Sequence, residues 1–202
     1  ARARLRALEA DEAQQERLFA PSRLGRSLAA ALDGALRRDI EGRRVLARVN
    51  HRELLESLAR WPARVTLRID GAALRGAVAS WAATEGASFE LRSSRQLSDA
   101  GPFDACIESP FEAELDQPAQ LAPWLDRARE RLAEGGVLWC AVPYDLLERD
   151  GTAPPLRLRA LLEERGLDCL TLAPLEADGR HLMLARCRVR AAAASAEPRA
   201  AR

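Results

Sequence analysis

Lysine is absent from the 202 residues, and aromatic residues make up only 4% of them. All 31 basic side chains are therefore arginine, which we attribute to a compositional bias before phosphate recognition, although arginine suits bidentate phosphate contacts. The formal net charge of +1 argues against a basic surface that coats nucleic acid, but it is compatible with a local patch. The hydrophobic fraction of 48% predicts a folded domain with a core of leucine and alanine.

The four cysteines contain no CxxC pair, and no long apolar run interrupts the chain. Each cysteine lies in a predicted strand, which favours buried free thiols over disulfides or a zinc site: Cys106, Cys140, Cys169 and Cys187. We therefore predict no metal site and no membrane contact. Thiols of this kind, with no visible secretory segment, predict a cytoplasmic location.

The chain divides into three parts by composition. Residues 1–42 are charged and helical in pattern, with Ser22 as the N-cap of a second helix, and we expect these helices to pack on or cap the domain. A lid or a dimer arm is the alternative, which makes a homodimer one predicted arrangement. Residues 43–190 form the predicted domain, and the alanine-rich residues 191–202 predict a disordered tail.

Strands and helices alternate through the first half of the domain. The pattern predicts strands at 44–49, 65–70 and 88–92, the last at a sheet edge because apolar and polar residues alternate. Asn50 is the predicted N-cap of the helix after the first strand, with Glu53 reaching back to it as in a capping box. Two further strands follow in the segment 101–142, and the helix between them is predicted to start near Pro123 and end at Gly135-Gly136.

The last part of the domain ends in two strands, at 167–173 and 180–189. Asp178-Gly179 favours an antiparallel hairpin between them, with a loop from Pro174 longer than two residues. This order predicts the α/β class, with a mainly parallel seven-stranded sheet, helices on both faces and a C-terminal antiparallel hairpin.

Two motifs carry a family resemblance. Phe103-Asp104 opens one strand, and Leu132-Ala133-Glu134-Gly135-Gly136-Val137-Leu138 leads into the next. Together they resemble the Rossmann-like class I S-adenosylmethionine-dependent methyltransferases, over about residues 43–189. The resemblance implies a Rossmann-like fold, S-adenosylmethionine as the cofactor if the protein is active, and transfer of a methyl group to nitrogen or oxygen.

The cofactor site implied by the resemblance lies between the first strand and the strand that opens with Phe103. In that family a glycine-rich loop follows the first strand, whereas residues 45–53 contain no glycine. The cofactor-binding positions implied by the resemblance are Asp70 at the ribose, Ser93 near the adenine, and Asn50. Asp70 is equally compatible with capping the next helix. The absence of glycine from residues 45–53 makes the cofactor loop degenerate in this sequence.

Two residues are candidates for catalysis. Glu108-Ser109-Pro110-Phe111 resembles the Asn/Asp-Pro-Pro-Tyr/Phe loop of methyltransferases that act on amino nitrogens, although an ordinary strand-to-helix turn is the simpler interpretation. His51 is predicted at the mouth of the crevice, where its ordinary pKa suits a general base.

Three functional hypotheses remain from the sequence. We favour a methyltransferase-like protein with a degraded cofactor site that binds or assembles with a small molecule or protein. An active S-adenosylmethionine-dependent methyltransferase with an unknown acceptor is the alternative. Nucleic-acid binding depends only on a set of arginines that solvation of helix faces explains more simply, at positions 43, 44, 48, 52, 60 and 64.

Overall fold

The computed structural model describes residues 12–13, 15–98, 100–109, 117–148, 151–177 and 179–191, and it leaves out the side chains of residues 34–36. Residues 15–19 are helical. The helices that follow are α1 (Arg23–Ile40), α2 (Arg52–Arg60), α3 (Ala72–Glu85), α4 (Pro118–Glu130) and α5 (Pro154–Glu163). The strands are β1 (Arg44–Arg48), β2 (Arg64–Arg68), β3 (Glu90–Arg92), β4 (Phe103–Glu108), β5 (Leu132–Pro143), β6 (Leu167–Ala177) and β7 (Arg180–Val189).

The described strands form one sheet in the order β3-β2-β1-β4-β5-β7-β6. The first five strands in this order are parallel, and β7 is antiparallel to both β5 and β6. The prediction of a mainly parallel seven-stranded sheet with a C-terminal antiparallel hairpin is therefore confirmed. The chain reverses its winding direction between β1 and β4, which leaves a crevice at the carboxyl ends of those strands.

Each face of the sheet has its own hydrophobic core. Buried leucines of α1, α2 and α3 cover one face, including Leu28, Leu55 and Leu74. The other face is covered by α4 and α5 through residues such as Trp124 and Leu158. Full burial of one such leucine contributes roughly 1.5–3 kcal/mol, so the two layers hold the strand ends firmly in register.

Two predicted boundaries in the central segment are wrong. Helix α4 begins at Pro118, and Pro123 lies inside it, because Pro118 already occupies the first helical position that suits proline. The pair Gly135-Gly136 does not end the helix but lies within β5, which already pairs with β4 at Leu132. A Cβ on Gly136 would lie 2.8 Å from the carbonyl oxygen of Ala133, so the irregular start of β5 requires glycine there.

The terminal hairpin is tighter than predicted. Strand β6 continues past Pro174 to Ala177, which pairs with Arg180, so only two residues of the sequence separate the two strands. Gly179 has a φ of 70°, as short hairpin turns require. Proline is accommodated because β6 lies at the edge of the sheet. The tail predicted at 191–202 lies outside the described residues except for its first residue.

Helix α1 begins with a capping arrangement that two helices share. Ser22 is the N-cap, as predicted, and its Oγ accepts a hydrogen bond from the Gly25 N–H at 3.1 Å. The Ser22 N–H donates to Oε1 of Glu53, on α2, at 2.8 Å. In an ordinary capping box the third helical residue supplies that acceptor, but here this residue is Gly25, which leaves room for the Glu53 carboxylate.

The predicted cap of α2 is therefore wrong. The helix starts at Arg52 with His51 as its N-cap, and Glu53 bonds to α1 and not back to Asn50. Packing of α1 against α2 determines this outcome, because it brings the Ser22 N–H within reach of Glu53. No helix in the described part of the chain is both long and apolar enough to cross a lipid bilayer.

Candidate functional site

The crevice at the carboxyl ends of β1, β2 and β4 contains a row of charged side chains. Arg48 of β1 pairs with Glu108 of β4 in the sheet register. Arg68 of β2 follows Leu67, which lies opposite Ala47, so Arg68 and Arg48 are neighbours on the same face of the sheet. Arg68 Nη2 donates to Glu108 Oε2 at 3.2 Å. We name Arg48, Arg68 and Glu108 the crevice cluster.

The crevice cluster is largely removed from water. Arg48 is 8% exposed and Glu108 is 2% exposed. Burial and the neighbouring charge of Arg68 together lower the pKa of Arg48 to about 10, although Glu108 and Asp70 act in the opposite direction. Arg68 Nε is also buried and has no hydrogen-bond partner among the described residues. The cluster therefore has two guanidinium groups for its single carboxylate.

Glu108, a candidate for catalysis, is held within this cluster. Besides its ion pair with Arg68, its Oε1 lies 3.8 Å from the Cys106 Sγ on the same strand. Residues 110–111, the rest of the loop that resembles the amino-methyltransferase motif, lie outside the described residues.

Asp70 is occupied by hydrogen bonds from the next loop. Its Oδ1 accepts from the Ser94 N–H at 2.7 Å, and its Oδ2 accepts from the Ser94 Oγ at 2.8 Å. Ser93, the predicted adenine contact, instead caps the 3₁₀ turn Ser94–Leu97 through Gln96. Both oxygens of the carboxylate that would hold a ribose are thus used to join the end of β2 to the loop after β3.

Asn50 and His51 lie in the short connection between β1 and α2. Asn50 Oδ1 accepts a hydrogen bond from Ser109 Oγ at 2.7 Å, which ties this connection to the end of β4. His51 is partly buried, and its Cβ would lie 2.9 Å from a Cβ on Gly25. The start of α1 therefore packs closely on the connection that would have to cradle a cofactor.

The space that remains in the crevice is small. The cavity between Arg48, Arg68 and Asp70 has a volume of about 50 Å³, and Leu18, from the helical residues before α1, contributes to its wall. Sites for cofactor-sized molecules usually have volumes of roughly 300–1,000 Å³. This cavity is therefore smaller than such sites.

The other charged residues of the sequence hypotheses serve the fold. The Arg44 guanidinium donates to the carbonyl oxygens of Ala100 and Pro102 and lies over the Phe103 ring. Asp104 Oδ2 accepts the Arg44 N–H at 2.9 Å, at the end of the sheet away from the crevice. Within the described residues, no group of three or more His, Cys, Asp and Glu side chains is arranged to hold a metal ion.

Sequence reasoning missed two residues of the site. Arg68 is the last residue of β2 and has the pattern of an exposed strand end, so only the sheet register shows that it reaches Glu108. Ser94, and not Ser93, is the partner of Asp70. The pair Ser93-Ser94 was a signal for a cap at this position, but the sequence does not distinguish which serine faces the carboxylate.

Comparison with known proteins identifies the fold through solved structures. No model of a protein family matches the sequence. No curated protein matches it either. Solved structures match over most of the chain. Magnesium protoporphyrin IX methyltransferase from Synechocystis PCC 6803 with bound SAM is 12% identical and has a TM-score of 0.69, covering 88% of this chain and 90% of that one.

Two further structures agree with this match. A SAM-dependent methyltransferase from Methanosarcina mazei is 12% identical with a TM-score of 0.62, covering 79% of this chain and 98% of that one. The 1,6-didemethyltoxoflavin-N1-methyltransferase of Burkholderia thailandensis is 17% identical with a TM-score of 0.57, covering 84% and 79%. The chain therefore has the Rossmann-like fold of the class I S-adenosylmethionine-dependent methyltransferases.

Proposed function

We propose that this chain is a methyltransferase-like protein that does not use S-adenosylmethionine and acts by binding or assembly with a small molecule or a protein. The crevice cluster is the observation that carries the proposal. Arg48, Arg68 and Glu108 lie in the crevice at the carboxyl ends of their strands, where the cavity beside Arg48 and Arg68 is only about 50 Å³. A cytoplasmic location belongs to the same proposal, because free buried thiols are typical of a reducing compartment.

Loss of the cofactor site is compatible with a stable fold. The two hydrophobic cores lie on the faces of the sheet, whereas the cofactor loop of the family lies at the carboxyl ends of its central strands. The glycines of such a loop leave space for a ligand but contribute little to packing. The chain can therefore keep the scaffold and replace the cofactor with its own side chains, so that fold and activity separate.

The alternative is an active methyltransferase with an unusual cofactor loop. The overall fold and the carboxylate of Asp70 support it. Activity would require the Arg48 side chain to leave its buried position. Because this change costs free energy before any ligand contact forms, we favour the binding role.

Calorimetry with two ligands tests the proposal. S-adenosylmethionine carries the sulfonium charge, and S-adenosylhomocysteine has the same shape without it. We expect no binding of either ligand at millimolar concentration, because side chains of the chain itself fill the crevice. Saturable binding of S-adenosylmethionine that Asp70→Ala abolishes and Glu85→Ala preserves would establish the active enzyme instead. Binding of S-adenosylhomocysteine alone would show an open crevice and contradict its filling.

Assembly is tested by the mass of the chain in solution. A homodimer is one form that the proposed role takes, and light scattering over a range of protein concentrations measures it directly. A constant monomer mass would exclude self-assembly and leave a different molecule as the partner.

A further inference from the structure

All four cysteines lie on one face of the sheet, and two of them are directly opposite each other. Cys169 of β6 and Cys187 of β7 are partners in the antiparallel register. Such partners have Cα atoms about 4.5–5.5 Å apart, and a disulfide requires roughly 4.4–6.8 Å. Both sulfurs belong to the face covered by α5, because Cys187 is part of that core and Cys169 packs against it.

The two thiols differ in their exposure to solvent. Cys169 is partly exposed on the edge strand, whereas Cys187 is fully buried. The register of β6 shifts just after Cys169, between it and Thr171, which interrupts the regular strand pairing at this point. A reagent in solution therefore reaches Cys169 first, and Cys187 lies behind it.

From this placement we propose that Cys169 and Cys187 form a thiol–disulfide exchange site for low-molecular-weight disulfides. The Cys169 thiolate attacks one sulfur of the small disulfide, forms a mixed disulfide and releases one thiolate. The Cys187 thiol then attacks the Cys169 sulfur and gives its proton to the departing thiolate, which leaves as the second small thiol as the Cys169–Cys187 bond closes. The two protein thiols are oxidised by two electrons, and the small disulfide is reduced to two thiols.

The surroundings of Cys169 agree with its role as the attacking group. A hydrogen bond from the Cys187 thiol lowers the pKa of Cys169 to about 7, and Arg159 of α5 acts in the same direction. Burial and Glu163 of α5 oppose this change. The pKa of Cys187 is raised because its proton is donated to Cys169 and because it is buried. The asymmetry assigns attack to Cys169 and resolution to Cys187.

Cys140 provides a matched control on the same face. It pairs with Ala185 on β7, so it is diagonal to Cys187, and it is buried. Diagonal positions on neighbouring strands are roughly 7–8 Å apart, which exceeds the reach of an unstrained disulfide. Burial also raises the pKa of Cys140. We therefore expect Cys140 to remain a thiol under conditions that oxidise the pair.

The test treats the native protein with oxidised glutathione and identifies the products by intact mass and peptide mapping. We expect the wild type to lose two hydrogen atoms in mass and to yield a Cys169–Cys187 linked peptide. The Cys187→Ser variant should retain glutathione on Cys169, and Cys140→Ser should behave as the wild type. Cys169→Ser should slow thiol consumption by about tenfold or more, because the other three thiols are buried.

The wild type alone keeps the test decisive if a variant does not fold. A lasting glutathione adduct on Cys169, a disulfide to Cys140, or no reaction would each overturn the proposal. The rate of the first step in the wild type should also rise with pH through about 7, as the Cys169 thiolate forms. A rate that rises only near the ordinary thiol pKa would contradict the assigned attacking group.

Discussion

Two buried groups of arginine and carboxylate lie on opposite faces of the sheet, and they differ in charge balance. Beneath α1, Asp39 accepts hydrogen bonds from Trp139 Nε1 at 3.0 Å and from Nε and Nη2 of Arg186 at 2.7 and 2.6 Å. One carboxylate there faces one guanidinium and is fully bonded. In the crevice cluster, Glu108 faces both Arg48 and Arg68.

The difference separates a group that joins several elements of the fold from one that lies within the crevice. Asp39 joins α1 to β5 and β7, and each of its three bonds would be missed if the carboxylate were removed. In the crevice cluster, Arg68 Nε has no hydrogen-bond partner among the described residues. Charge balance is therefore a better guide to structural necessity here than burial alone.

Removal of Asp39 should have the largest effect. We expect Asp39→Ala to lower the free energy of unfolding by about 3 kcal/mol, because it leaves a partly buried guanidinium and an indole N–H without their acceptor. The matched control is Asp33→Ala, which removes the exposed acceptor of Trp61 Nε1 and should cost about 1 kcal/mol. Urea denaturation measures both variants, and equal losses would show that the Asp39 group is not special.

A substitution at the start of α1 should have the next largest effect. Gly25→Ala places a Cβ against Glu53 Oε2 and should cost about 1–3 kcal/mol, although alanine favours helices. Gly76→Ala is the control, because nothing lies within 4 Å of a Cβ there, and it should stabilise by roughly 0.5–1 kcal/mol. Urea unfolding midpoints measure both variants. Equal shifts for Gly25→Ala and Gly76→Ala would contradict the prediction.

Replacement of Arg48 tests the crevice side of the comparison. Arg48→Met removes the excess charge and keeps the length of the side chain, so we expect a stability within about 1 kcal/mol of the wild type or above it. Arg186→Met is the control, and it should cost about 3 kcal/mol because Asp39 loses its ion partner. Similar losses for the two variants in urea would mean that the crevice cluster is also needed for the fold.

The smallest expected effect is the loss of the stability contribution of Asp39 in acid. Burial acts to raise the pKa of Asp39, but hydrogen bonds from Arg186 and Trp139 outweigh it and hold the pKa below its ordinary value. The folded state then binds this proton less readily than the unfolded state. The contribution of Asp39 is therefore complete above its unfolded pKa and is lost as the pH falls through the folded one.

The measurement compares the wild type with Asp39→Asn. We expect the urea midpoint of the wild type to fall more steeply with acid than that of the variant, over the range from about pH 5 to pH 2. Parallel curves would show that the Asp39 carboxylate does not contribute through its ionisation.

Most of the fold followed from local pattern. The strands and helices could be predicted because apolar residues recur with different spacings along a strand and along an amphipathic helix. The boundaries failed where long-range contacts decide them: Gly135-Gly136 is drawn into β5 because Leu132 already pairs with Phe103. The site was less predictable, because the distance from Arg68 to Glu108 depends on the register of three strands, which no local signal encodes.

The shared cap at Ser22 has a consequence for the order of folding. The Ser22 N–H finds its acceptor on Glu53 of α2. The cap of α1 is therefore complete only when β1 and α2 have formed. The N-terminal segment should therefore be the last part of the chain to gain protection from hydrogen exchange and the first to lose it. As an isolated peptide it should show little helix, because its own third position offers only glycine.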